Sequence, residues 1–249
     1  MNPSEFSTLT ESEQSLWWFR GMKRMLFAVL DPLALQFRIG KVLEAGSGTG
    51  YMARQLRERY GWTMFPVELA WEGVSNTRSQ SGVWPVQADI AACPFPAGCF
   101  DAVVSLDVLV HFPAGGEAAA IREFARVLRP GGLLLLRVSA LDVLKSRHSV
   151  FTHERQRFTR RRLELAVAEQ GFEIRRLTYA NALLLPVALA RFRVWEPLTN
   201  APPASGTAGP LPRWLDRLLY LHLAVETRWI AWGFGFPAGQ SLLLVAQKQ

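Results

Sequence analysis

Apolar and polar positions along the chain change period several times, and each change marks an element. Between residues 11 and 37, Leu16, Trp17, Phe19, Met22, Met25, Leu26 and Val29 recur at helical spacing, with Arg20, Lys23 and Arg24 elsewhere. That pattern predicts an amphipathic helix, and Asp31-Pro32 predicts a break or a new start in it. Short apolar runs then alternate with helical patterns. Strands are expected over 41–45, 62–67, 83–87, 102–106 and 133–138, with helices over 51–60, 71–79 and 116–128. Pro130-Gly131-Gly132 stops the last of these helices. A helix over 160–170 and strands over 172–179 and 241–247 complete the series. Apolar strands alternating with helices argue a parallel sheet covered on both faces.

Residues 181–239 exceed what a minimal domain of this kind needs. They hold an apolar run over 183–190, a Pro/Gly/Ala-rich loop near 201–212 and a Trp-rich helix over 214–232. The apolar run is too short to span a bilayer. The expected organisation is an N-terminal helical cap over 1–38, a ligand-binding α/β domain over 39–180, an apolar helical insertion or substrate cap over 181–239, and a last strand over 240–249.

The tract with the most chemistry is Val42-Leu43-Glu44-Ala45-Gly46-Ser47-Gly48-Thr49-Gly50. An apolar strand ends on an acid and runs into glycines at alternate positions, followed by the first turns of a helix. Such glycines let the backbone turn sharply and come close to a ligand. The spacing is neither G-x-G-x-x-G nor a P-loop. Standing alone, it could also be a glycine-rich loop after a buried strand. Further along, Glu68 closes the second strand and Asp89 follows the third. Each could accept hydrogen bonds from a ligand or cap a helix.

Together with the 94–105 tract Pro-Phe-Pro-Ala-Gly-Cys-Phe-Asp-Ala-Val-Val-Ser and the 128–133 tract Leu-Arg-Pro-Gly-Gly-Leu, these residues resemble the class I S-adenosylmethionine (SAM) methyltransferases. The resemblance implies a Rossmann-like, seven-stranded, mostly parallel sheet with an antiparallel last strand and helices on both faces. It implies SAM as cofactor, contacted by Glu44, Ala45, Gly46, Ser47, Gly48, Gly50, Glu68, Leu69, Asp89, Ile90, Leu106 and Asp107. Glu68 would accept from the ribose hydroxyls and Asp89 from the adenine amino group. Glu44, Ser47 and Glu68 depart from the family's usual Asp, Cys and Asp, and each longer acid must retract by one methylene. The stretches around 17–20, 153–160 and 179–186 further resemble a bacterial subgroup linked to cell-surface glycan and lipid pathways, although Leu16 stands where that subgroup has His.

The strand-four loop, Leu106-Asp107-Val108-Leu109-Val110-His111-Phe112, faces the methyl group in this family. It lacks the [DN]-P-P-[YFW] motif of methyltransferases acting on amino groups of bases or amides. His111 is the first candidate general base, because imidazole titrates near neutrality, and it could equally be a structural histidine. His153 comes second, ahead of His148 and His222. Trp18, Arg20 and Arg157 are candidates for substrate binding, and Arg20, Arg155 and Arg157 could clamp a phosphate or carboxylate.

Composition adjusts this picture in three ways. Two cysteines, Cys93 and Cys99, have no third cysteine or nearby histidine, so no metal is expected. The opening residues lack the pattern of a secretory leader, which makes a cytoplasmic protein the expectation. The net charge is +7, with Arg155, Arg157, Arg160, Arg161 and Arg162 in one run. That run suits a solvated helix face, phosphorylated substrates, an anionic membrane surface or nucleic acid. Aromatic interleaving of the RNA-binding kind is absent from it, which disfavours nucleic acid. Tryptophan with arginine on the 214–232 helix suits a peripheral contact with the inner membrane face, or a cap packed on the domain. The leading expectation is a methyltransferase acting on a hydroxyl or carboxylate of a small or lipid-linked substrate. An RNA methyltransferase and a SAM-binding partner or sensor without transfer activity stand beside it. The sequence leaves the oligomeric state open.

Overall fold

Strand β1, Lys41–Ala45, is buried at four of its five residues. It is hydrogen-bonded on one side to β2, Thr63–Glu68, and on the other to β4, Phe100–Leu106, both parallel. The computed structural model describes residues 12–199 and 211–249, so most of the expected 201–212 loop lies outside the described residues. β3 is Val86–Gln87, β5 Leu128–Ser139, β6 Phe172–Ala180 and β7 Ser241–Lys248. The sheet order is β3-β2-β1-β4-β5-β7-β6. β7 runs antiparallel to its neighbours. Its end meets the starts of β5 and β6, with Gln247 Nε2 donating to Gly131 O and Gln249 N to Gly171 O. Its entry residue Gln240 accepts from Ala140, just past the end of β5.

The chain divides into two compact units. The sheet unit comprises Arg38–Ser139, Arg155–Leu177 and Leu242–Gln249. Helices α2 (Tyr51–Tyr60), α3 (Trp71–Ser81), α4 (Glu117–Val127) and α6 (Arg160–Ala168) belong to it, with helices on both faces of the sheet. Its core is built from the continuous apolar runs of the strands, including Val42, Leu43, Val103, Leu134, Leu136 and Leu244. Sheets covered on both faces need strands of this kind.

The helical unit comprises the described part of Met1–Phe37, with Ala140–Glu154 and Thr178–Ser241. It holds α1 (Trp17–Gln36), α5 (Arg147–Phe151), α7 (Leu185–Ala190), α8 (Glu196–Thr199) and α9 (Arg213–Ala231). Met22, Met25, Leu26, Val29 and Leu30 of α1 are buried, as are Leu223 and Ile230 of α9.

Most boundaries fall within two residues of the sequence expectation, and three differ in kind or by more. α1 continues through Pro32 to Gln36 instead of breaking. A proline removes one intrahelical donor, and here only the final turn follows it, while five buried side chains hold the helix in place. β3 is limited to two residues rather than extending from 83, because Pro85 has no N–H for the ladder. β5 starts at Leu128, not 133. Its pairing with β4 jumps from Phe100↔Leu128 to Ala102↔Leu133, so the Pro-Gly-Gly turn, which follows the end of α4 at Val127, is absorbed into the strand as a bulge.

Candidate active site

The site is built in the sheet unit at the carboxyl end of β1, where the strand order reverses. This is the switch point at which open α/β sheets place their ligands. The three alternate glycines all have positive φ, at 84, 55 and 81° for Gly46, Gly48 and Gly50, and they serve different ends. A Cβ on Gly46 would come within 2.3 Å of Val108 in the β4 loop. One on Gly50 would come within 2.6 Å of the Thr77 backbone in α3. A Cβ on Gly48 would meet nothing within 4 Å. The outer two glycines therefore let protein close in, and the middle one faces open space. Thr77 locks the loop from α3, its hydroxyl donating to Gly48 O at 3.2 Å and lying 3.1 Å from Ser47 Oγ.

Glu68, at the end of β2, holds the loop from the other side. Its Oε2 accepts from Gly48 N at 2.9 Å, and its Oε1 accepts from Leu69 N and Ala70 N at 2.9 and 3.1 Å. Bonding to the two backbone groups that follow it folds the longer side chain back, which achieves the retraction Glu needs in place of Asp. A carboxylate has about four acceptor positions, and three are taken by these backbone groups, so one is left for a ribose hydroxyl. Leu69, next to it, is 66% exposed, an uncovered apolar surface of the kind a purine ring covers. Gln87 ties the β3 end to this turn, Nε2 donating to Leu69 O at 3.1 Å. Asp89 follows, exposed, with Oδ1 accepting from Ala91 N at 2.9 Å. Its turn-forming role engages that one oxygen. Ile90, Ala45, Glu44 and Ser47 are buried. The open face of Gly48, the remaining acceptor position of Glu68 and the uncovered Leu69 fit SAM.

The β4 loop forms the next wall. Leu106 is half-buried. Asp107 sits at φ 60°, a region that non-glycine residues occupy at functional sites or under local strain. Three bonds fix it there. Its N–H donates to Arg137 O, and its carboxylate accepts from Arg137 Nε and Nη2 at 2.9 and 2.5 Å. Beyond Val108, residues Leu109–His111 form a 3-10 turn that carries a half-buried His111. Gln156 clamps this turn. Its backbone N–H, with that of Arg155, donates to Val110 O, and its Nε2 donates to Leu109 O at 3.2 Å and to Glu117 Oε2 at 3.1 Å. Arg162 closes the network by donating to Glu117 Oε1 and Gln156 Oε1. Burial alone would raise the Glu117 pKa, but the Gln156 and Arg162 bonds outweigh it and hold the carboxyl below its usual range.

The remaining expected site residues are placed as follows. Trp18 is half-buried in α1, edge-on to Phe19. Arg20 pairs with Asp216 of α9 and lies 4.9 Å from the centroid of the Tyr220 ring. Both belong to the helical unit, as does His153, exposed at φ 57°. Arg157, half-buried in the sheet unit, accepts from Arg162 through its carbonyl. In the basic run, Arg160 bonds Glu164 and Leu177 O, and Arg162 serves the Glu117 network. The sequence reading missed Thr77, Arg137 and the Gln156–Glu117–Arg162 network. Arg137 alone carries a visible signal, as a single charge within the apolar run Leu133–Val138.

Known proteins agree with this geometry. Residues 43–136 match the family model described as a methyltransferase domain. A malonyl-[acyl-carrier protein] O-methyltransferase of Gallionella capsiferriformans is 30% identical over 143 residues, covering 53% of this chain and 46% of that protein. A ubiquinone biosynthesis O-methyltransferase of Xanthomonas axonopodis pv. citri is 33% identical over 135 residues, covering 48% and 54%. The chain thus spans about half the length of the curated relatives it matches. A SAM-dependent methyltransferase structure from Thermotoga maritima superposes over 98% of this chain and 97% of its own, with a TM-score of 0.62 at 15% identity. Over its glycine loop and central strands the chain matches a methyltransferase domain, and its fold is the Rossmann-like one seen in SAM-dependent methyltransferase structures.

Proposed function

We propose that this protein transfers a methyl group from SAM to an oxygen, hydroxyl or carboxylate, of a small or lipid-linked acceptor. The observation that carries the reading is the clamped 3-10 turn bearing His111, three residues beyond the Val108 that closes on Gly46 of the glycine loop. Bound SAM supplies an electrophilic methyl group on a sulfonium. The protein's own residues do the rest. Glu68 and Asp89 accept from the cofactor's hydroxyl and amino donors, and Gly48 leaves room for it. The β4 loop, fixed by Arg137 and Gln156, aligns an incoming nucleophile, and alignment supplies much of the barrier lowering in such transfers. His111 takes the proton from a hydroxyl acceptor at its imidazole, or orients a carboxylate that has none to lose. The two relatives named above are O-methyltransferases, which supports an oxygen acceptor.

Mass spectrometry of lipid and polar metabolite pools treated with enzyme and SAM identifies the acceptor. His111→Gln is expected to leave SAM affinity intact and to lower kcat on a hydroxyl acceptor by roughly 10²–10⁴-fold. Wild-type turnover of a hydroxyl acceptor by that variant would remove His111 as the base.

A further inference from the structure

Helix α9 has two faces of opposite kind. Its inner residues Leu223, Glu226, Thr227 and Ile230 are buried. Its outer residues Trp214, Leu218, Leu221, Val225, Trp229 and Trp232 are 68, 46, 57, 64, 41 and 62% exposed. They recur at steps of three and four, which keeps them on one stripe of the helix. Phe234, half exposed just past the helix, stacks on Trp229 at 4.3 Å and lengthens the stripe.

Charge accompanies the stripe and has one sign. Arg213, Arg217 and Arg228 are exposed, and Arg228 lies 5.3 Å from the centroid of the Trp232 ring. Both acids of the helix are engaged elsewhere. Asp216 accepts from Trp17 N and Arg20, and Glu226 is buried and accepts from Ala182 N and Leu183 N. The exposed face therefore holds tryptophan, aliphatic side chains and arginine, with no exposed acid.

Single exposed apolar residues are ordinary, but a contiguous stripe of this size marks a binding surface. Among the described residues no helix is long and apolar enough to cross a membrane. Tryptophan, with an apolar body and a polar N–H, is enriched at the depth where headgroups meet acyl chains. A symmetric contact between two copies would instead bring the same three arginines together without an acid to pair them. We propose that the outer face of α9 docks the protein on an anionic lipid surface. Its apolar stripe enters the interface, and Arg213, Arg217 and Arg228 meet the headgroups. This goes beyond the methyl-transfer reading and does not depend on which acceptor is used.

Vesicle flotation of the full chain tests it, comparing pure phosphatidylcholine with vesicles containing one third phosphatidylglycerol. The protein is expected to float with the anionic vesicles and to release as salt rises. Arg213→Gln/Arg217→Gln is expected to weaken the partition about 25-fold, at about five-fold per arginine. Trp214→Ser/Trp232→Ser is expected to weaken it further and to abolish the blue shift of tryptophan emission on vesicle addition. All four positions are exposed, so SAM affinity and the unfolding midpoint should be unchanged. Failure to float at low salt would overturn the proposal, as would equal flotation of both variants. So would a wild-type dimer in sedimentation that these substitutions dissolve, since the face would then bind a second copy.

Discussion

At the residue scale, Glu68 shows how one side chain serves both fold and ligand. It ties Gly48 and its own following turn, and it keeps one acceptor position for a ribose hydroxyl. Gln156 is the corresponding device for the reacting side. With Gln156→Ala, the 3-10 turn loses the donor to Leu109 O and Glu117 loses a partner. We expect kcat to fall while the SAM dissociation constant, measured by calorimetry, stays within about two-fold, alongside roughly 1–3 kcal/mol of lost stability. An unchanged kcat would reduce Gln156 to a purely structural role. Sequence reading finds Glu68 because the end of a strand beside a glycine turn is visible locally. Thr77, Arg137 and Gln156 act across sequence separations of 29, 30 and 47 residues. Nothing in their immediate surroundings announces those partners, apart from the solitary charge of Arg137.

At the element scale, the helical unit depends on the crossing of α1 and α9. Gly21 is the close-approach point. A Cβ there would lie 2.3 Å from Leu223 Cδ1 and 2.8 Å from its Cβ, so rotating the leucine does not relieve the clash. Gly21→Val is expected to cost about 1–3 kcal/mol, as overpacking does, read as a lower denaturant midpoint. A midpoint equal to wild type would mean the helices do not cross there. Glu226 makes a second element-scale contact, fastening residues 182–183 to α9 from a fully buried position. Burial pushes its pKa up, against the lowering effect of the backbone donors. A carboxyl whose folded pKa is raised stabilises the fold below its unfolded value, and that contribution is lost as pH rises through the folded pKa. Glu226→Gln keeps an acceptor without the charge. Its melting temperature relative to wild type is expected to be higher at pH 8 than at pH 4.5, and a flat difference across that range would contradict the assignment. Periodicity made these helices legible from their apolar spacing. It did not reveal that α1 runs through Pro32, because packing of the preceding turns decides that, nor that Pro130-Gly131-Gly132 is a bulge, because strand pairing decides that.

At the scale of the whole molecule, the order of strands and loops carries the argument. Alternating apolar strands and amphipathic helices imply a parallel sheet. The reversal of strand order places the glycine turn, the β2 acid, the β3 acid and the β4 loop in one unit. The helical unit was less legible, since its segments are drawn from three separate stretches of chain. The central claim is that the space in front of Gly48 receives SAM. Isothermal titration of SAM into the wild type and Gly48→Ala, paired with thermal unfolding of both without ligand, tests it most directly. A Cβ at Gly48 meets no protein atom, so the variant should fold and lose only the modest stability that positive φ demands, about 1–2 kcal/mol. It should nevertheless bind SAM at least tenfold more weakly than the one-to-one complex of the wild type. A wild type that does not bind SAM, or a variant that binds it equally well, would contradict the account.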